Sequence, residues 1–280
     1  MEIWRKSFID RNIVFKILIL NLIVYAAILF WEAINGMPLT KNGIEAQLRE
    51  DQIYHPISWL ALQGNFAAFI SKPWSILTFM FTHERFMAIL SSMIWLLFFG
   101  TILQQLLGNK RVIPLYIYGG FFGGIIYVLV STFMSANYYL ASASLSVFAI
   151  AAAVTTVSPN YKVFTSFNGG FSIWILSAVY ALLTLFTSSV PVIAAHLIAG
   201  ITGFFFIRQL NQGRDLGKWM NDLGNKMNTM FEPDAKSTKR NNPYFTNDEQ
   251  KLNKILDKIN ERGIQSLNKE EKLFLDNQSK

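Results

Sequence analysis

Two residues carry the chemistry that this sequence can offer. Ser144 stands in the stretch Ser142-Ala-Ser144-Leu-Ser146, and His196 stands alone in the last apolar run, residues 192–210. A serine hydroxyl becomes a nucleophile when a neighbouring imidazole takes its proton. Small residues at a helix entry let a second backbone or a substrate come close, and the first N–H groups there lack internal partners and suit an oxyanion. A serine in an apolar helix is also ordinary packing glue, and a lone histidine there can be a polar group bonded to a neighbouring helix. Residue by residue, both readings stay open.

The elements that must position this pair are apolar. The chain has 280 residues, of which 52% are hydrophobic and 15% charged, against roughly 25% charged in a soluble domain. The apolar residues come in long blocks, so the expected class is an all-α, polytopic membrane helical bundle. Cysteine is absent, which excludes disulfides, cysteine nucleophiles and cysteine-held metals. The three histidines, His55, His83 and His196, argue against an all-histidine metal site. No metal or cofactor is expected. The net charge of +7 sits beside apolar segments, which fits membrane topology better than nucleic-acid binding.

Six spans are expected, at residues 13–31, 85–106, 112–134, 138–157, 171–186 and 192–210. Gly119, Gly120, Gly123 and Gly124 make a close-packing face on the third. Residues 33–82 are mixed and read as an ordered loop with short amphipathic helices at the membrane interface. The basic residues Arg5, Lys6 and Arg11, then Lys110 and Arg111, then Lys162, then Arg208 and Arg214 fall on alternate connections. The positive-inside rule then places both termini in the cytoplasm. Spans four and six enter from the other side, with Ser144 and His196 each about one turn in, at similar depth. The ridge Ala195, Ala199, Gly203 would allow close approach of the two spans, although spacing alone does not say that they touch.

Residues 1–210 therefore form the membrane domain. Residues 211–246 hold an amphipathic stretch with Leu216, Trp219 and Leu223, then a linker with Pro233 and Pro243. Residues 247–280 read as a small helical hairpin, with helices at 248–262 and 268–276, suited to docking or regulation.

Several motifs resemble those of the rhomboid family of intramembrane serine proteases. They are Trp74-Ser-Ile-Leu-Thr-Phe-Met-Phe-Thr-His83, Met93-Ile-Trp95, Phe99-Gly100, the turn 108–111, Tyr118-Gly-Gly120, Ser142-Ala-Ser144-Leu145 with Val147-Phe-Ala-Ile150, and Ala195-His196 with Gly203. The resemblance covers about residues 8–210. It implies a six-span fold, Ser144 as nucleophile, His196 as general base, and backbone N–H groups of Ser144 and Leu145 facing the oxyanion. It also implies substrates that are transmembrane segments of single-span or polytopic membrane proteins, cut near the outer membrane face, and a place in a bacterial inner membrane.

Departures from the family pattern bear on activity. The family's histidine and asparagine donors on span two fall on Ala88 and Ser92, so only Ser92 can donate, weakly. The glycine two before the nucleophile is Ser142, and the acid after Phe-Gly is Gln104. Phe148 keeps the ring one turn below the nucleophile, and His83 occupies a position where rhomboids often carry histidine, either lining a water-access cavity or at the interface without a role in bond cleavage. The resemblance thus implies an endopeptidase of low activity. The alternative is a catalytically inactive rhomboid-like protein that binds transmembrane clients.

Overall fold

The computed structural model describes residues 12–34, 56–135, 138–163 and 170–231, positions 252, 255, 258 and 259, and residues 267–278. The basic residues Arg5, Lys6 and Arg11, the loop around His55, the 232–246 linker and most of helix 248–262 lie outside the described residues. The chain divides into two compact units, 1–223 and 224–280.

In chain order the helices are α1 (Ile13–Ile34), the short α2 (Pro56–Leu60), α3 (Phe66–Ser71) and α4 (Ser75–Thr78), then α5 (Phe86–Leu107), α6 (Val112–Phe133), α7 (Ser144–Val157), α8 (Ile173–Phe186), α9 (Val190–Asn211) and α10 (Lys218–Phe231). A 3-10 turn, Phe79–Phe81, extends α4. Helices α1, α5, α6 and α9 each hold 22 residues. At 1.5 Å per residue that is about 33 Å, the thickness of a bilayer's hydrocarbon core. They alternate little between faces because both lipid and bundle interior are apolar.

Helix α7 is the centre, packed by α5, α6 and α9. Its Leu145, Ser146, Val147, Ala149, Ile150, Ala151, Ala153 and Val154 are buried. With 14 residues it extends about 21 Å, too short to cross alone. The sequence reading ran this helix from residue 138, and the structure corrects it. Strand β2 (Tyr139–Leu140) pairs antiparallel with β1 (Leu62–Gln63), Leu62 opposite Leu140, and Gly64 N–H donates to the Tyr138 carbonyl at 2.8 Å. Backbone at membrane depth must be paired, and non-helical chain is tolerated there when protein surrounds it. The 62–64 segment supplies that pairing, so the helix starts only at Ser144.

Close approach fixes the bundle. A Cβ on Gly203 of α9 would run into the Ala149 carbonyl, and one on Gly119 of α6 into the Ala149 side chain. Three helices therefore meet at one alanine. A polar tie adds to this packing: wholly buried Asn21 of α1 donates to Ile17 O (2.8 Å) and lies 3.5 Å from the Tyr116 hydroxyl, which donates to Met80 O at 2.6 Å. That tie fixes α1, α6 and the 3-10 turn relative to one another. At the other edge, α8 exposes Trp174, Ile175, Val179, Leu182, Leu183 and Phe186 and buries only Ile173 and Tyr180. Strands β3 (Lys162–Val163) and β4 (Phe171–Ser172) pair just before it.

Within the second unit, α11 (Lys269–Gln278) begins on a reciprocal cap. Glu271 N–H donates to Asn268 Oδ1 and Asn268 N–H to Glu271 Oε2, both at 2.8 Å, which satisfies two helix-end donors at once. Lys258 closes on Glu271 at 2.8 Å.

Candidate active site

Ser144 is the first residue of α7, at the point where the chain leaves the β2 strand. Its surroundings hold the local backbone from three sides. Ala143 N–H donates to His83 Nε2 at 3.4 Å. Ser144 N–H donates to Ser142 Oγ at 3.1 Å. The Tyr180 hydroxyl of α8 donates to the Ser144 carbonyl at 3.4 Å. The helical ladder first closes at Val147 N–H to Ala143 O (3.0 Å), which leaves the Leu145 N–H without a helical acceptor.

His196 lies on α9, 1% exposed. Its Nδ1 sits 2.8 Å from the Val192 carbonyl. A carbonyl only accepts, so Nδ1 carries the proton and Nε2 presents a lone pair. That Nε2 is buried and has no hydrogen-bond partner. The Phe148 ring meets the imidazole edge-on, centroids 5.3 Å apart and planes at 77°. Phe148 stands four residues after Ser144, hence on the same face of α7 and about 6 Å deeper. The two spans touch through this ring and at Gly203. No hydrogen bond joins Ser144 and His196 here, since His196 Nε2 is unpartnered.

The remaining expected site residues spread around this pair. Ser92 is buried on α5, and Ala88, one turn before it, is half-buried and offers no donor. His83 is wholly buried; burial pushes it down to about 4, and the Phe81 carbonyl counteracts this in part. Gln104 lies near the far end of α5, its Oε1 buried without a partner. Among the described residues, no group of three or more His, Asp or Glu side chains could hold a metal ion.

Tyr180 escaped the sequence reading. It is buried, with its ring centroid 4.8 Å from Trp95, 5.6 Å from Phe99 and 5.9 Å from Phe148. Its signal was present: a tyrosine in an otherwise aliphatic and threonine-bearing run must find an acceptor once buried.

A family model described as Rhomboid domain matches residues 71–211, half of the chain, from the end of α3 to the end of α9. The chain belongs to the rhomboid family. It is accordingly an integral membrane protein of an intramembrane-protease-like family, and α5 to α9 are its rhomboid helices. Among the described residues, four helices are long and apolar enough to cross a membrane, while α7 and α8 are shorter apolar helices within the rhomboid bundle. A second match, to the DUF6576 family of unknown function, covers residues 240–280. No curated protein matches the chain.

Proposed function

We propose that this rhomboid is an intramembrane serine endopeptidase of low intrinsic rate. Ser144 Oγ attacks the scissile carbonyl carbon of an unwound transmembrane segment while His196 Nε2 takes its proton. The same nitrogen then returns the proton to the leaving amine, and water releases the acyl group from Ser144. The observation that carries this reading is the state of His196: the Val192 carbonyl fixes its tautomer, leaving a buried, unengaged Nε2 on a ring that packs against Phe148, one turn after Ser144 on α7. On this reading the Ser144–His196 contact closes when substrate binds, since catalytic hydrogen bonds often tighten only in the complex. The short α7 supports placement of the cut near the outer face, because its first residue lies about 9 Å below the far boundary of a 30 Å core if its last residue is level with the near one. The basic residues Lys110, Arg111, Lys162, Arg208 and Arg214 support termini in the cytoplasm, and the host membrane is proposed to be a bacterial inner membrane.

A second reading, a client-binding protein without catalysis, is favoured by one contact: Ser142 Oγ occupies the Ser144 N–H that an oxyanion would use. Ala88 adds to it, since one missing oxyanion donor costs about 3–4 kcal/mol in the transition state. Cleavage of a single-span test protein in liposomes separates the two. Slow cleavage by the wild type, lost in Ser144→Ala and in His196→Ala, with fluorophosphonate labelling of Ser144, is the expected result. Equal background in all three proteins and no labelling would leave the client-binding reading standing.

A further inference from the structure

The segment that follows the last span makes a surface that the proteolytic reading does not use. Helix α10 begins seven residues after α9 ends, and its first turns are tied to the start of α6. Trp219 Nε1–H donates to the Tyr118 hydroxyl at 2.6 Å, which in turn donates to Leu216 O at 2.9 Å. Asn221 Nδ2 donates to Lys110 O at 3.0 Å. Arg111 pairs with Asp215 at 3.4 Å, and a Cβ on Gly217 would press on the Pro114 ring. These bonds fix the beginning of α10 across the membrane-spanning α6 rather than away from it.

The depth of that attachment follows from α6. With its leading 3-10 turn, this span holds 25 residues, about 37 Å against a hydrocarbon core of about 30 Å, so each end reaches a few ångströms into the headgroup layer. Tyr118 lies six residues into α6, and helical side chains lean back towards the helix start. Its hydroxyl, and with it the Trp219 indole, falls near the boundary between headgroups and hydrocarbon, where tryptophan and tyrosine prefer to lie.

The exposed side chains match that place. Leu216 is 37%, Trp219 57% and Leu223 51% exposed. At four residues apart, Trp219 and Leu223 share one helix face, with Asp222 at its edge and Lys218 and Gly224 turned away from it. Exposed cations surround them: Lys110, Arg208, Arg214 and Lys218. An apolar face rimmed by lysine and arginine, fixed at the edge of a membrane span, complements an anionic lipid surface.

We propose that residues 216–223 lie in the bilayer leaflet at the basic end of the bundle. Leu216, Trp219 and Leu223 enter the acyl boundary, and Arg208, Arg214 and Lys218 engage anionic headgroups. The segment acts as a membrane-lying bracket between the last span and residues 224–280.

The cysteine-free chain permits a direct test. Trp219→Cys, Leu223→Cys and, as the control turned away from that face, Gly224→Cys, where an added Cβ meets nothing within 4 Å, are made singly in the full chain. Each is labelled with an NBD fluorophore and reconstituted in phosphatidylcholine vesicles with or without phosphatidylglycerol. Expected are blue-shifted emission and protection from iodide at 219 and 223, and at least about twofold stronger quenching there than at 224 by lipids carrying a shallow nitroxide. Phosphatidylglycerol should deepen the contrast, and Arg214→Gln with Lys218→Gln should reduce it. Leu223→Cys keeps the test valid if loss of the Trp219 bond unsettles the fold. Equal iodide quenching at all three sites overturns the proposal. So does protection from iodide and from lipid quencher alike, which would mean that protein covers the face.

Discussion

Ser142 stands two residues before Ser144 with its hydroxyl on the N–H of that residue. A glycine there would leave this donor free to meet a developing negative charge. Ser142→Gly combined with Ala88→His and Ser92→Asn is therefore expected to raise cleavage tenfold or more, because each regained donor contributes at least about 1.4 kcal/mol. Adding Ser144→Ala should abolish the gain. A folded triple variant that still cuts nothing would count heavily against the protease reading. His83 supports a second prediction. Its folded value of about 4 lies below the usual histidine value near 6.5, so between these limits the unfolded chain binds more protons than the fold. The stability this group contributes is complete above about pH 6.5 and is lost as the pH falls towards 4, by roughly 3 kcal/mol in all. Glu84 acts the other way, since burial raises it against the lowering effect of Arg85. Melting in detergent from pH 7.5 to 4.5 should show a shallower acid loss for His83→Gln than for the wild type.

Among the elements, the contact between α7 and α9 has the least room to adjust. A side chain at position 203 meets the Ala149 backbone carbonyl, which cannot swing aside, whereas one at position 200 meets the edge of the Phe148 ring at 3.0 Å. Gly203→Ala should destabilise by about 1–3 kcal/mol and separate the two reactive side chains; Gly200→Ala should cost less. Thermal unfolding and fluorophosphonate labelling of both variants check this ordering. The long helices were legible in the sequence because each apolar run matched the length of a bilayer crossing. The span limits and the basic connections put Ser144 and His196 at similar depth on two segments, and the structure adds that these segments touch. The entry to α7 was not legible. Residues 138–143 have the composition of a helix, and only their pairing with Leu62–Gln63, far away along the chain, makes them extended. A two-residue strand is too short for any alternation to announce it. The partner of His83 was not legible for the same reason: the Ala143 N–H is 60 residues away.

At the scale of the molecule, the uncharged turn after α8 and the basic connections at the opposite end define a sidedness. Cysteine placed at Ser188 should react with an impermeant thiol reagent added to intact cells, and cysteine at Asn160 should not; labelling at Asn160 in sealed cells would reverse the orientation. The 60-residue separation between His83 and Ala143 also sets a schedule. A ribosome adds about 5–20 residues per second. His83 is therefore made seconds before the backbone it holds, and His196 emerges seconds after Ser144. During that interval the serine's loop can pair with residues 62–64 and take its N–H bond to His83, but no base has yet arrived. On the proposed dyad, the nascent protein is harmless to its neighbours until its last span is in the bilayer. The order of translation alone delays the cutting reaction.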